Sequence, residues 1–379
     1  MALIMKGPLA LATAVLFAAP AVAQQGSIVY RLGLDTIAVE QFSRTATRFS
    51  GEVVRRNPTV LRLQYDVTLG ADGRPTRATV RQRQADGTVI PNAPTELRLT
   101  FTADSVKRES VFADSTPTRM IAAKNALFLL TSPSVATMEL LAAAQKRAPA
   151  DSFLAIGAGA QPGWFRLAPA RGDTLRLVGG PYAFQLRFDA QGALQTVDGN
   201  YTTNKLLGTR GVAGLDLAAI ATKMAPGVLS ARGTVSAGFG QVQSPVTIDY
   251  GRPLVRGRTV WGGTLVPFDT VWRVGANAAT HFSTSRALAF GDLTVAPGLY
   301  TLWIQHTRNG TFLIVNKGVG QWGTQYDATQ DIGRVAMQLT PTPESVEQFT
   351  IGIRQLATAR GAIDFAWGPS VATAMFTMK

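Results

Sequence analysis

The sequence contains no cysteine and only two histidines in 379 residues. The absence of cysteine excludes disulfide bonds, thiol catalysis and an anchor built on a lipid-modified cysteine. His281 and His306 are too few for a typical metal site, which combines several imidazole, thiolate or carboxylate ligands. The sequence also lacks an HExxH motif, a GxSxG nucleophile elbow and a glycine loop that leads into a helix. We therefore expect no metal and no cofactor, and no motif identifies a catalytic residue.

Acidic residues are scarce relative to basic ones, 24 against 37, which gives a formal net charge of +13. The basic residues are mostly arginine and are scattered, and the longest basic runs are pairs such as Arg55-Arg56. This pattern indicates a solvated, mildly cationic surface, with contact to an anionic envelope polymer or membrane surface as the alternative. We do not expect nucleic-acid binding. A hydrophobic content of 46% with 16% charged residues indicates packed cores rather than disorder.

Long apolar runs are missing except at the N-terminus. Lys6 precedes the apolar stretch Leu9–Ala19, and Ala21-Val22-Ala23 has the small-x-small pattern of a signal peptidase site. A membrane anchor is the alternative, but the stretch is short for a bilayer and Pro20 interrupts it. We predict that residues 1–23 are a signal peptide, and that the mature protein is periplasmic or secreted with no transmembrane segment.

Residues 26–225 have the pattern of an antiparallel sheet. Apolar and polar residues alternate through Leu61–Leu69, as on a strand with one buried face, and Asp72-Gly73 and Asp86-Gly87 are turn sequences. Further strands are predicted at Thr76–Gln84, Glu96–Thr102, Gly163–Leu167, Thr174–Val178, Tyr182–Phe188 and Leu194–Tyr201. One helix is predicted to start at Ser132-Pro133 or Ser134 and stop at Pro149, and a second to cover Leu215–Met224.

This region is therefore predicted to be a curved antiparallel sheet with one or two covering helices, an α+β arrangement. Exported lipid and lipoprotein carriers have this shape, so the sheet and helix could form an apolar cradle for an acyl chain. Alternatively, the helix only seals the core. Fold class alone does not decide between the two.

The stretch Pro226–Gly240 contains four glycines and little periodicity, and we predict that it is a linker. Residues 241–379 follow as a second domain, with turns at Pro297-Gly298 and Asn309-Gly310. Short strands are predicted at Val246–Tyr250, Ala287–Phe290, Gly298–Gln305, Thr311–Asn316, Arg334–Leu339, Ser345–Arg354, Ala362–Trp367 and Val371–Met378. Many short strands are typical of a β-sandwich or jelly roll, so the whole chain is predicted to be mainly β.

The stretch Tyr250–Thr280 has the most unusual composition. Short apolar pieces containing Trp261 and Trp272 are joined by glycine and proline, among four arginines and Asn277. Such a run is too interrupted for a helix and too aromatic for a linker, so short strands and tight turns are expected to hold its polar groups in fixed places.

Five pieces of the C-terminal region, in this order and spacing, resemble the bacterial family called domain of unknown function 2911. They are YGRPLVRGR (250–258), LVPFDTVWRVGANAAT (265–280), LTVAPGLYTLW (293–303), FLIVNKGVGQWGTQYD (312–327) and GRV (333–335). The resemblance spans about Gln241–Lys379, and the N-terminal half resembles no family. Members are commonly exported and have no established activity, so the resemblance implies a fold unit and a set of marked positions. Matching positions are Tyr250, Arg252, Pro253, Gly257, Arg258, Trp272, Arg273, Gly275, Asn277, Thr280, Asn316, Trp322, Gly323, Tyr326 and Asp327.

One position departs from the family. Members often read GANEAT where this chain has Ala278 in place of the glutamate. Any acid–base role of that glutamate is absent here.

The candidate ligand-binding residues are Arg252, Arg258, Trp272, Arg273, Asn277, Trp322, Tyr326 and Asp327. Aromatic faces beside planar hydrogen-bonding groups suit a sugar ring, a carboxylate or a peptide end. The structural alternative is that arginines pair with Asp249 or Asp327 and only hold the loops in place.

Two function classes stay open. The first is a non-catalytic exported binding or scaffold protein of the bacterial envelope, with a small-molecule, glycan or lipid ligand and a peripheral envelope contact as further options. The second is an envelope hydrolase or lyase that uses Asp327 or His281 with Arg273.

Overall fold

The structure, a computed structural model, describes residues 23–379 except 57, 132, 160, 180–182, 201–204 and 228–229. The predicted signal peptide therefore lies outside the described residues apart from Ala23. No helix in the described ranges is both long enough and apolar enough to cross a bilayer.

The described residues of the N-terminal region form one sheet of fifteen strands and two short helices. The strands are β1 (Gln24–Leu32), β2 (Asp35–Arg44), β3 (Arg48–Arg56), β4 (Val60–Leu69), β5 (Pro75–Gln84), β6 (Glu96–Phe101), β7 (Ser105–Val111), β8 (Thr118–Ala122), β9 (Leu127–Phe128), β10 (Phe153–Ile156), β11 (Gly163–Pro169), β12 (Thr174–Val178), β13 (Gln185–Phe188), β14 (Leu194–Asp198) and β15 (Leu207–Gly211). The helices are α1 (Met138–Arg147) and α2 (Leu217–Lys223).

The strand order runs from β8 back to β1 and then from β15 back to β9, so the first strand lies in the middle of the sheet. β1 pairs with β2 on one side and with β15 on the other, where Ser27 lies opposite Gly211. All pairs are antiparallel except β9 with β10. The predicted N-terminal strands and both helices are thus confirmed as elements, but α1 begins at Met138 rather than at Ser132-Pro133 or Ser134. Ser132, Tyr182 and Tyr201, at predicted ends, lie outside the described residues.

Strict alternation sets which face of the sheet is buried. In β4, Tyr65, Val67 and Leu69 join the core, whereas Gln64 and Thr68 face solvent. The chain between β9 and α1, together with the buried side of α1, covers this inner face through residues such as Phe128, Val135 and Leu141. The predicted helix-covered, curved sheet is therefore confirmed.

Two fully buried glutamates tie this cover to the sheet. Glu40 of β2 accepts hydrogen bonds from Tyr30, Tyr65 and Ser134, and the Tyr65 bond is 2.8 Å long. Because the Ser134 hydroxyl is used in this way, it does not cap α1, which begins four residues later. Glu139 in α1 contacts Arg210 at 3.0 Å and Arg44 at 3.5 Å.

The C-terminal region forms a second sheet of ten strands. They are β16 (Arg232–Phe239), β17 (Ser244–Gly251), β18 (Val271–Trp272), β19 (Thr280–Thr284), β20 (Leu288–Phe290), β21 (Leu293–Val295), β22 (Gly298–Thr307), β23 (Gly310–Asn316), β24 (Asp331–Ala357) and β25 (Arg360–Met378), with a 3-10 turn at Ala328–Gln330. The order is β16-β17-β19-β22-β23-β24-β25-β20-β21, and β18 pairs with β22.

The long hairpin of β24 and β25 folds over the other strands and makes the region sandwich-like. One shared core contains Ile248, Phe282 and Leu302 from one layer and Phe349 and Phe365 from the hairpin. The predicted sandwich-like fold of antiparallel strands is confirmed.

Three details differ from the sequence-based prediction. The strands predicted at Ala362–Trp367 and Val371–Met378 are parts of the continuous β25. The strands predicted at Arg334–Leu339 and Ser345–Arg354 are parts of the continuous β24, because the proline-rich chain between them is accommodated by register shifts between Pro341 and Val346. In addition, β16 lies inside the stretch predicted as a linker. It is an edge strand, where glycine and weak alternation are tolerated. Independent folding of the two regions stays a prediction.

The two regions meet at the turn between β1 and β2. The Leu34 amide donates to the Arg256 carbonyl at 3.0 Å, and the Arg256 guanidinium pairs with Asp35 at 2.6 Å. Gly257 has a φ of 69°, in the left-handed region that favours glycine, and it lies against the Leu34 side chain.

Candidate functional site

A small pocket lies at this junction and contains four of the candidate residues. Its volume is about 90 Å³, which is the space of roughly three water molecules. The polar side chains in its lining are Lys205, Ser230, Arg258, Arg273 and Asn277, and the apolar ones are Leu32, Pro253, Leu265, Trp272 and Trp367, with Gly275 and Ala276 completing the wall. We call it the junction pocket.

The short strand β18 places Trp272 and Arg273 on different sides. Trp272 is 7% exposed and stacks on Trp367 in the core, with ring centroids 5.3 Å apart. Arg273 follows it and points into the junction pocket, where its Nε donates to the Gly275 carbonyl at 3.3 Å. Arg273 makes no ion pair with any described residue. Burial lowers the pKa of its guanidinium, and no neighbouring carboxylate offsets this effect.

The turn after Arg273 has an unusual backbone. Val274 has a φ of 50° and Asn277 a φ of 64°, both in the left-handed region. For a β-branched residue such as Val274 this conformation is strained by roughly 1–3 kcal/mol. The Thr280 hydroxyl donates to the Val274 carbonyl at 2.6 Å and holds the turn. The turn thereby fixes Gly275 and Ala276 as backbone walls of the junction pocket.

Arg258 is the second cation of the pocket. Its Nε donates to the Val255 carbonyl at 2.9 Å and its Nη2 to the Leu254 carbonyl at 2.8 Å. These bonds orient the guanidinium, but no ion pair with a described residue neutralises it. Burial, together with the nearby Arg256, lowers the pKa of Arg258 to about 10, while the more weakly acting carboxylates of Glu347 and Asp35 raise it.

Lys205 is the third cation, and it comes from the N-terminal region. Its Nζ donates to the Thr264 carbonyl at 2.8 Å and to the Asn200 carbonyl at 3.2 Å. Burial first, and then the charges of Arg273 and Arg258, lower the pKa of Lys205 to about 8, while the more weakly acting Asp198 raises it. Three cationic side chains from two regions therefore converge on one small space.

Sequence reasoning missed Lys205. The residue lies in a loop after β14, far along the chain from Arg258 and Arg273, and no local pattern marks it. Packing of the two regions brings these residues together, including the hydrogen bond from Lys205 Nζ to the Thr264 carbonyl.

The other candidate residues lie elsewhere or at the edge. Asn277 lines the pocket but is exposed, and its amide donates to the Ser230 carbonyl at 3.5 Å. Arg252 lies outside the lining and donates to the Thr350 hydroxyl at 3.2 Å, so it ties its loop to β24. Trp322 is 45% exposed and pairs with Ala278 through a backbone bridge.

Tyr326 and Asp327 also lie outside the junction pocket. The Tyr326 hydroxyl donates to Asp331, and burial together with that carboxylate raises the pKa of Tyr326 to about 12. Asp327 caps the 3-10 turn by accepting from the Thr329 amide at 2.9 Å. Neither Asp249 nor Asp327 pairs with a candidate arginine. Asp327 caps the turn, and Asp249 pairs with Arg232 at 2.6 Å.

The two histidines do not line the junction pocket. His281 Nε2 accepts from the Gly320 amide at 3.1 Å. His306 bonds to Thr311 at 2.9 Å and packs against Trp261 and Phe268, and burial lowers the pKa of its imidazole. Across the described ranges no three histidine, aspartate or glutamate side chains come together as metal ligands would.

Comparison with known families identifies the C-terminal region. Residues 230–376 match the family model described as Protein of unknown function (DUF2911), which confirms the resemblance and extends it to include β16. The N-terminal half has no family match. No curated protein matches the chain. The matched region supplies Arg258 and Arg273 to the junction pocket, whereas Lys205 and Leu32 come from outside it.

Proposed function

We propose that this chain is an exported, non-catalytic binding protein whose junction pocket holds the oxyanion group of a small ligand, such as a carboxylate or a phosphate. The observation that carries the proposal is the convergence of Lys205, Arg258 and Arg273 on the pocket, with no ion pair to either arginine among the described residues. Export rests on the small-x-small pattern at Ala21-Val22-Ala23.

Charge balance supports an anionic ligand. Burying a cation is unfavourable unless an opposite charge and hydrogen bonds compensate it, and like charges placed together make each other worse. Arginine cannot reduce this cost by losing a proton, because it stays charged at physiological pH. A bound oxyanion would compensate both guanidinium groups and could accept paired hydrogen bonds from their planar forks.

The size of the pocket limits what enters it. A volume of about 90 Å³ accommodates a carboxylate or phosphate group but not a sugar ring with its substituents. The rest of the ligand would therefore lie outside, beyond the exposed Asn277 side of the pocket. This geometry favours recognition of one charged end, as in a peptide carboxyl terminus or an acidic sugar.

The lysine provides a direct test. Because the pKa of Lys205 is about 8, a bound anion should raise it, and the protein should take up a fraction of a proton on binding near that pH. Titration calorimetry with phosphate and with acetate, in two buffers of different ionisation enthalpy at about pH 8, measures this uptake. We expect different apparent enthalpies in the two buffers for the wild type and equal ones for Lys205→Met.

The arginines are tested in the same titrations. Arg273→Gln and Arg258→Gln keep much of the side-chain length and should each weaken binding by about tenfold or more. Arg334→Gln, on β24 and outside the pocket, is the matched control and should bind like the wild type. Equal affinities of all four proteins for both anions would refute the proposal.

A further inference from the structure

A second, larger cavity lies under the inner face of the N-terminal sheet, away from the junction pocket. Its volume is about 330 Å³. Apolar side chains from the sheet and from the chain before α1 make up much of its wall, including Val53, Leu63, Leu129, Ile156 and Phe165. It reaches the surface near Gly159 and Gln161, which are exposed. We call it the inner cavity.

One cation lines this apolar space. Arg55 is two residues after Val53 on β3, so both side chains face the inner side of the sheet. The Arg55 Nε is buried and has no hydrogen-bond partner, and within the described ranges Arg55 forms no ion pair. Burial alone lowers the pKa of this guanidinium.

No carboxylate neutralises Arg55 from within the inner cavity. Among the described residues that line it, Arg55 is the only charged one, and the other polar side chains are neutral, such as Gln82 and Ser134. The nearest buried acid described above, Glu40, is already surrounded by the Tyr30, Tyr65 and Ser134 hydroxyls. A cation left without a partner beside apolar walls is unfavourable in the empty protein.

We propose that the inner cavity binds a single-chain anionic amphiphile, with its acyl chain along the apolar walls and its carboxylate on Arg55. The volume is at the small end of the usual range for ligand pockets, about 300–1,000 Å³, which favours one chain of medium length over a two-chain lipid. The apolar walls disfavour a small hydrophilic anion, and the unpaired guanidinium disfavours a neutral chain. A carboxylate would give Arg55 the paired hydrogen bonds that it lacks.

The inference is independent of the junction pocket, because the two sites share no lining residue. The inner cavity also concerns the role of the covering helix. If the helix only sealed the core, no ligand would bind beside the chain that leads into α1; binding in the inner cavity would favour the apolar cradle instead.

The test compares decanoate with decanol, which have the same chain length but differ in charge. Titration of the whole protein should show decanoate binding at least about tenfold more tightly than decanol. Arg55→Gln should lower the affinity for decanoate to that for decanol. Arg55→Lys should retain part of the preference for decanoate. Arg108→Gln is the matched control, because Arg108 also has a buried Nε without a hydrogen bond but lies outside the cavity lining.

Other arms separate the remaining explanations. Equal binding of decanoate and decanol, or no binding of either, would overturn the proposal. If Arg273→Gln rather than Arg55→Gln abolished decanoate binding, the carboxylate would occupy the junction pocket instead. Sedimentation of the wild type but not of Arg55→Gln with phosphatidylglycerol vesicles, with no binding of free decanoate, would assign Arg55 to a lipid surface and also contradict the proposal. Melting curves of each variant ensure that a loss of binding does not come from unfolding.

Discussion

The buried acids of the N-terminal region and the buried arginines of the junction pocket are compensated in opposite ways. The N-terminal region buries acids and surrounds them with donors: Glu40 has the Tyr30, Tyr65 and Ser134 hydroxyls, and Glu139 has the Leu194 amide at 2.9 Å together with Arg210. The junction with the C-terminal region buries cations, and its two arginines have backbone carbonyls as their partners but no carboxylate among the described residues.

The difference indicates which charges serve the fold and which are available to a ligand. Buried polar groups in native proteins are almost always satisfied, so a network such as that of Glu40, whose carboxylate accepts hydrogen bonds from three hydroxyls, is expected from folding alone. Buried guanidinium groups that form no ion pair lower stability, so Arg258 and Arg273 are the groups that the proposed anion would compensate. The predictions below test this contrast, from the largest expected effect to the smallest.

The largest loss of stability is expected for Glu139→Ala. Its side chain is fully buried, and its removal would leave Arg210 and Arg44, themselves only 13% and 19% exposed, without an acid. Breaking a buried ion pair from one side lowers the free energy of unfolding by about 3–5 kcal/mol. Denaturant unfolding measures it, and Glu109→Ala, which removes a half-buried surface acid, is the control. A loss below about 1 kcal/mol would show that the N-terminal acids are not structural.

A much smaller loss is expected for Arg273→Met. Methionine retains the apolar stem that packs against Gly323, and no carboxylate is left unpaired. The free energy of unfolding should change by about 1 kcal/mol or less, whereas phosphate and acetate binding should be lost. A loss as large as that of Glu139→Ala would mean that Arg273 has a structural partner after all, and the contrast between the regions would fail.

The pH dependence of the free energy of unfolding should reveal the lowered pKa of Lys205. The pKa of Lys205 is about 8 in the folded protein and 10.5 as its ordinary value, so between these pH values the unfolded chain holds more protons. Stability should therefore increase as pH rises through this window, and the increase should be absent in Lys205→Met. Comparing the two proteins by denaturant unfolding at each pH cancels the titration of other groups. Parallel curves would contradict the lowered pKa.

The smallest effect is expected for Trp322→Ala. This ring is 45% exposed and lies outside the junction pocket, so the free energy of unfolding should change by about 0.5 kcal/mol or less and anion binding should persist. Trp272→Ala is the contrasting variant, since that ring is stacked in the core and its loss should cost about 3–5 kcal/mol. Loss of anion binding in Trp322→Ala would move the site toward the Trp322 loop.

Strong alternation explains why much of the fold could be predicted. The strand at Thr174–Val178 and the alternating residues of β4 were predictable because one face is wet and the other is buried. The edge strand β16 carries a weaker signal, because the face on which Val235 and Ala237 pack against the core is only partly buried and includes Gly233. The prolines in β24 predicted that a strand ends there, whereas in the structure the strand continues with a shift in register.

The candidate site was only partly predictable for a different reason. Arg258, Trp272, Arg273 and Asn277 could be chosen because glycine and proline mark their loops as fixed, and these four do line one pocket. Arg252, Trp322, Tyr326 and Asp327 belong to the same family-like pieces but hold loops and turns at other places. Lys205 depends on how two distant parts of the chain dock, which a local pattern does not encode.

The central position of β1 has a consequence for how the protein folds. Ser27 pairs with Gly211, so the middle of the N-terminal sheet closes only after nearly two hundred residues have emerged. Pairings of such long sequence separation form slowly, because the chain entropy of the intervening loop must be lost first. Until β15 arrives, one edge of β1 stays unpaired and is open to association with other chains. A holding chaperone that covers this edge during synthesis should therefore raise the yield of folded protein, and a separately expressed 26–200 fragment should aggregate.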